Sequence, residues 1–305
     1  MAAAAALSVN TPPEQPLEDN DTVSMSTVFH PGSQPQPDTV LSSSDGVLFY
    51  VHAPTIVTLF PSAFQQPGFA PISNPMFRET FIHLDGPSDE LNIILHALYG
   101  TSPAAHYPSF ETLISAVDRM PNYKISPKRL IRPTSPIYEL LLSYAPLKPL
   151  DLYGLGAFHG IHSLCVSSSS HLLSYNLATI SDQMAERIGA VYLKKLLLLH
   201  TERFDALKGI LLHPPHPHPS TKECSFQDQR KLTRAWALVS AYLAWDARAD
   251  LSTHTMKSTL NPLMENLTCS MCHRALEDRI KSVLGQWSSV KVSGYISRSH
   301  SFLTG

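Results

Sequence analysis

Two spacings of apolar residues run through this chain. Near the front they come as short runs of β-branched and aromatic side chains. Asp38-Thr39-Val40-Leu41 leads to a turn at Ser44-Asp45-Gly46, and Val47-Leu48-Phe49-Tyr50-Val51-His52 follows. Such runs about an Asp-Gly pair predict a β-hairpin, because glycine accepts the positive φ of a tight turn. Thr55 to Phe64 carries Ile56, Leu59, Phe60 and Phe64, a short helix, and Thr80-Phe81-Ile82-His83-Leu84-Asp85-Gly86 reads as a third strand. Leu91, Ile94, Leu95 and Leu98 then fall at i, i+3, i+4 and i+7, one face of a helix. Ser88-Asp89-Glu90 suits its N-terminus, where carboxylates favour the free N–H groups. Phe110, Leu113, Ile114 and Val117 repeat the spacing behind Ser109 as cap, and Pro121 ends that helix.

From Ile137 onward every apolar pattern is helical. The stripes are Ile137, Leu140, Leu141 and Tyr144; Leu152, Leu155 and Phe158, ended by Gly160; and Ile188, Val191, Tyr192, Leu196 and Leu199 after Ser181-Asp182. Phe204, Leu207, Ile210 and Leu211 continue the last of these or form a separate helix. Leu232, Ala235, Trp236, Val239 and Leu243 make another, and Leu276, Ile280, Val283, Leu284 and Trp287 the final one. Helices with one apolar stripe and short connections bury those stripes against each other. The fold class is therefore α+β: a mixed unit over residues 37–125, a linker over 126–135 and an all-α extension over 136–290. Residues 1–36, rich in Pro and acidic residues, read as a disordered tail in which Val28-Phe29 is the apolar pair able to dock. Residues 65–78 read as an inserted loop, and 291–305 as a C-terminal tail.

The front half resembles the BTB/POZ domain, an α+β protein-interaction module. The match rests on Asp38, Asp45-Gly46, Phe49-Tyr50-Val51-His52, Ile56, Ala63-Phe64, and Leu91, Ile94, Leu95, Leu98 and Tyr99-Gly100, in that order and spacing. Phe60 departs from it, since the family usually has Ser there, which bears on the capping of the first helix. The rest resembles the long helical extension of BTB proteins from mushroom-forming fungi. There the match runs through Pro149-Leu150-Asp151-Leu152-Tyr153, His171-Leu172-Leu173, Tyr192-Leu193-Lys194, Trp236-Ala237-Leu238 and Cys269-Ser270-Met271-Cys272 to Trp287-Ser288. The resemblance implies a binding module that self-associates as a homodimer, or joins a client to a cullin-type ubiquitin-ligase scaffold. It implies no enzyme. In the family pattern Asp38 and His52 are structural. A transcription-associated regulator working through partners is the alternative, and an enzyme of the helical region a more distant one.

Composition narrows these readings. With 305 residues and 43% hydrophobic content, the chain can build cores without disulfides. A net charge of −2 disfavours nucleic acid as a partner, and no apolar run approaches the length of a membrane span. Charged residues make up only 16%, so some surface is expected to meet a partner. Four cysteines suit a reducing compartment, and no secretory or mitochondrial leader pattern is present, so the expected location is the cytoplasm or nucleus.

Candidate chemistry is sparse. Gly154-Leu155-Gly156-Ala157-Phe158-His159-Gly160 lacks the preceding strand of a phosphate loop, so its glycines are read as close-packing positions. Ser167 to Ser170 reads as a polar run, open to local hydrogen bonding or to a phosphorylatable surface. His213-Pro214-Pro215-His216-Pro217-His218-Pro219 interrupts the helices with an extended piece, because each Pro lacks an N–H and restricts its predecessor. Cys224 follows it, and Cys269 and Cys272 form a Cys-x-x-Cys. With His213, His216, His218 or His273 these have the makings of a zinc site. A single Cys-x-x-Cys is an incomplete signal, and the competing reading makes the cysteines packing residues beside a surface polyproline stretch. On the sequence alone no catalytic, metal or cofactor site is assigned.

Overall fold

The computed structural model describes residues 24–64, 72–73, 80–265 and 267–292. The expected hairpin consists of β1 (Thr39–Ser42) and β2 (Leu48–Val51), with Gly46 at φ 82° in the turn. After α1 (Ala53–Leu59) and the two-residue β3 (Ile72–Ser73), β4 (Thr80–His83) returns beside β1. The sheet order is β2-β1-β4-β3, with β1 antiparallel to β2 and parallel to β4. Leu41 stands opposite both Phe49 and Ile82, so the three runs picked out by their β-branched and aromatic content are neighbours in one sheet. Of the expected loop over 65–78, only β3 is described, and it pairs with β4.

Helix α2 (Ser88–Tyr99) lays Leu91, Ile94, Leu95 and Leu98 on this core, and α3 (Phe110–Arg119) adds Phe110, Leu113 and Val117 behind the Ser109 cap. The start of α2 is held from a distance. The Asp45 carboxylate, in the hairpin turn, accepts from the Ser88 N–H at 2.9 Å and from its hydroxyl at 2.6 Å. Asp38 likewise accepts from the Ala53 N–H at 2.8 Å, and the Tyr99 hydroxyl accepts from the His52 N–H, so both residues are tied to the hairpin's exit.

The tail shows one departure. Residues 24–36, expected to be disordered, include a segment that runs along β2: Leu48 N–H donates to Ser24, Ser26 N–H to Leu48, and Tyr50 N–H to Phe29. Phe29 is buried against Phe49, His96 and Tyr99. An edge strand with unpaired N–H and C=O groups recruits such a segment, and one aromatic ring is enough to anchor it. Residues 1–23 lie outside the described residues.

The linker over 126–135 is a second departure. It contains α4 (Pro127–Leu130), with Pro127 and Ile131 buried. The first core does not stop there: it continues into α5 (Pro136–Ser143), α6 (Pro149–Phe158) and α7 (His162–Ser169) through Ile137, Leu141, Leu152, Leu155 and Leu164. The mixed unit and the first extension helices thus share one interior. Gly154 and Gly156 act as the close-packing positions expected: an added Cβ would lie 2.9 Å from Met184 Sδ and 2.9 Å from Cys165 Sγ respectively. Ser168 and Ser169 are buried and their hydroxyls bond back to α7 carbonyls, so the run makes local hydrogen bonds, with Ser167 and Ser170 half-buried beside them.

Helix α8 (Asp182–Leu211) is broken at Gly189, whose φ of 73° and ψ of 156° leave the helical region. The break resets the helical phase. Ile188, Leu196 and Leu199 are buried as expected, but Val191 is turned outward, as is Phe158 at the end of α6. Beyond it, α9 (Phe226–Trp245), α10 (Thr253–Leu260) and α11 (Ser270–Ser288) close a second core with the last turns of α8, around Leu207, Leu211, Trp236, Met256, Leu276, Val283 and Trp287. No helix among the described residues is long and apolar enough to cross a membrane.

Two glycines test the packing. Gly156→Ala meets the Cys165 and Ile161 backbone at 3.2 Å as well as the sulfur, so it is expected to lower stability by about 1–3 kcal/mol. Gly209→Ala, on an exposed face of α8 with open space around it, is expected to raise stability by about 0.5–1 kcal/mol. Urea unfolding of the two variants checks the sign of each.

Candidate functional site

Three polar clusters stand out, and each joins elements far apart in sequence. The first lies between the two halves. Asp118, in α3, meets His159 Nε2 at 2.6 Å and accepts from Arg187 Nη2 at 2.8 and 2.9 Å. Burial raises the Asp118 carboxyl, but hydrogen bonds from His159 and then Arg187 outweigh it, and the net position is below the usual carboxylate range. The Asp–His pairing resembles half of a hydrolytic triad. Here the carboxylate is instead shared with a guanidinium that also covers the Phe158 ring at 5.1 Å. That arrangement clamps α3, the end of α6 and α8 together.

The second cluster is centred on Arg203, only 4% exposed although it carries a full charge. It donates to the carbonyls of Ala249 at 2.6 Å, Val290 at 3.0 Å and Lys291 at 2.7 Å, and its guanidinium lies 4.4 Å from the Trp287 ring centroid. A helix end leaves carbonyls without partners, and Arg203 satisfies those beyond the C-terminus of α11 from inside the core. The sequence carried a signal for this residue: it sits four positions from both Leu199 and Leu207, on the buried stripe of α8.

The third cluster contains the thiols. The loop after α8, threaded by prolines, carries His218 to the start of α11, and a turn from Thr221 to Cys224 precedes the Ser225 capping box of α9. Cys269 is the N-cap residue of α11 and Cys272 lies in its first turn. His218, Cys224, Cys269 and Cys272 bring one ligand atom each into a group within 4.8 Å of one another. Cys224 and Cys272 are buried; His218 and Cys269 are half-buried. His213, His216 and His273 are exposed and lie outside the group. The fourth cysteine, Cys165, is buried under α6, where burial pushes its thiol up to about 12.

The imidazole of His218 is oriented by its surroundings. Its Nδ1 is 2.7 Å from the Pro219 carbonyl oxygen. A carbonyl only accepts, so Nδ1 donates to it, and in the neutral ring the Nε2 lone pair faces the sulfurs. Its backbone N–H donates to the buried Gln229 side chain at 3.0 Å. Backbone N–H groups of Cys272 and then Met271, at the open first turn of α11, hold the Cys269 thiol down to about 7. Burial pushes Cys272 up to about 12, and Cys224 upward as well. An open cleft lined by His216, His218, Ser270, Met271 and Arg274 runs past the cluster and gives solvent a route to it. Among the described residues this is the group able to hold a metal ion.

No protein-family model matches the chain, and no curated protein matches it.

Two of the clusters predict losses of stability. Arg203→Met removes a donor that reaches the Ala249, Val290 and Lys291 carbonyls from inside the core, so a loss of about 3 kcal/mol is expected in chemical denaturation. Asp118→Asn is expected to cost about 1–2 kcal/mol at neutral pH. Because the native Asp118 pKa is lowered, the stability it supplies is present above its unfolded pKa of about 4 and lost as pH falls through the lower native value. The gap between wild type and Asp118→Asn should therefore close on going from pH 6 to pH 3, as read by thermal unfolding.

Proposed function

We propose that this protein is a non-catalytic protein-interaction module. In this reading a BTB/POZ-like unit self-associates, or serves as an adaptor that brings a client to a cullin-type ubiquitin-ligase scaffold, and the helical extension takes part in client contact. The observation that carries the reading is the sheet. A hairpin and a third strand, parallel to the first and separated from it by a helix, bury their apolar side under α2 and α3. This is the arrangement that the resemblance over Asp38 to Tyr99 implies.

Further support comes from what the surface offers. Val57 and Leu59 of α1 are exposed, and so are Met25 and Val28 on the segment that covers β2. Single exposed apolar side chains are ordinary. Four on elements that flank β2, in a chain with only 16% charged residues, suit contact with another polypeptide. The buried Arg203 and the half-buried Asp118–His159–Arg187 group are engaged in holding elements together.

The test is the solution mass of the full chain, with and without a cullin-type scaffold. A dimer of the 33.7 kDa chain, or a stoichiometric complex with the scaffold, is expected. Val57→Asp with Leu59→Asp should weaken whichever of these forms while leaving the circular dichroism unchanged. A chain that stays monomeric at every concentration and captures neither the scaffold nor a client would overturn the reading.

A further inference from the structure

We propose that His218, Cys224, Cys269 and Cys272 bind one structural zinc ion, which pins the N-terminal ends of α9 and α11 to the loop that follows α8. The inference stands on the geometry of the four side chains and is independent of the interaction role proposed above.

Three of the six ligand–ligand distances match the edges of a tetrahedral zinc site. With Zn–S near 2.3 Å and Zn–N near 2.0 Å, a regular site has edges of about 3.8 Å between sulfurs and about 3.5 Å between sulfur and nitrogen. Here Cys224 Sγ and Cys272 Sγ are 3.7 Å apart, and His218 Nε2 is 3.3 Å from Cys272 Sγ and 3.4 Å from Cys269 Sγ. The remaining edges are within 4.8 Å. Packing alone does not require four ligand atoms from separate segments to gather within 4.8 Å of one another. In its neutral form the single imidazole among them presents the Nε2 lone pair, because the Pro219 carbonyl accepts from Nδ1. A hydrogen bond of this kind to the second ring nitrogen is the usual support of a zinc-bound histidine.

Donor chemistry selects the ion. Three thiolates and an imidazole are soft ligands that favour zinc over calcium or magnesium. All four positions come from the protein, which makes the centre structural, with no open position for a substrate. Cys269 and Cys272 start α11 and Cys224 immediately precedes α9, so both helix N-termini lie beside the negative charge of the thiolates, where their dipoles are favourable. The ligands are as far apart in sequence as 54 positions, from His218 to Cys272. Between them run α9 and α10, and the ion closes that length of chain at one end of the second core. At the other end of α11, Arg203 and Trp287 do the corresponding work.

The full chain, purified without a histidine tag and under reductant, is expected to carry one zinc per chain by elemental analysis. Replacing zinc by cobalt should produce the visible bands of a tetrahedral thiolate site. His218→Ala should weaken metal binding by more than the roughly 10–100-fold that loss of a supporting hydrogen bond costs. His218→Cys should restore stoichiometric zinc, while His213→Ala, His216→Ala and His273→Ala should leave it unchanged. Chelation should lower the melting temperature of wild type and spare that of His218→Ala. A folded wild-type chain that takes up no stoichiometric zinc even when reconstituted with zinc salt, and shows no thiolate-to-cobalt absorption, would overturn the proposal. So would undiminished binding in His218→Ala.

Discussion

The contact on which the fold depends is the burial of Leu41 between its two strand neighbours. Phe49 on one side and Ile82 on the other belong to strands joined to β1 in opposite senses. A hairpin alone is marginal in water, since one face of it stays wet. The parallel return of β4 widens the apolar side enough for α2 to cover, and α2 arrives with its own stripe of Leu91, Ile94, Leu95 and Leu98. The Asp45 carboxylate then ties the hairpin turn to the first N–H group of α2, so the turn that makes the hairpin also sets where the covering helix begins.

From that core the molecule grows without a break. Ile131, Ile137, Leu141 and Leu155 extend the same interior, with small residues at Gly154 and Gly156 letting α6 approach α7 and α8. Ile188 and Leu196, on either side of the Gly189 break, pack on Tyr153, Ala157, Cys165 and Leu172, and only from Leu207 onward does α8 join a different set of helices. The second core is smaller and leans on polar fastenings. Arg203 closes one end with three carbonyl bonds. The Cys–His group closes the other. A helical unit held by a few stripes gains order when charged or metal-linked groups fix the helix ends, since each such group specifies a partner that a Leu does not.

What the sequence determined by itself is what depends on neighbours within a few residues. Strand alternation around Asp45-Gly46, the helical stripes from Ile137 to Trp287, and the caps at Ser109 and Ser181 are local, and all are present. The extended proline-rich loop and the packing role of Gly154 and Gly156 were legible for the same reason. Phe158 and Val191 were misplaced because a periodic pattern assumes an unbroken helix, and one ends while the other restarts at Gly189. Helix α10 was missed because Thr253 to Leu260 has only Met256 and Leu260 on its buried side, too little for a pattern.

The tertiary structure alone decided which distant groups meet. Nothing local marks Asp118 as the partner of His159 and Arg187, or tells that Phe29, of the pair able to dock, packs on Phe49, His96 and Tyr99. The choice among four histidines illustrates the rule most sharply. His213, His216, His218 and His273 were equivalent in sequence, each near a cysteine, and only the path of the chain between α8 and α11 turns His218 toward the three sulfurs. Sequence spacing sets which side chains share a helix turn. Convergence of ligands from separate elements is set by how the cores stack, and that information is spread over every buried residue between them.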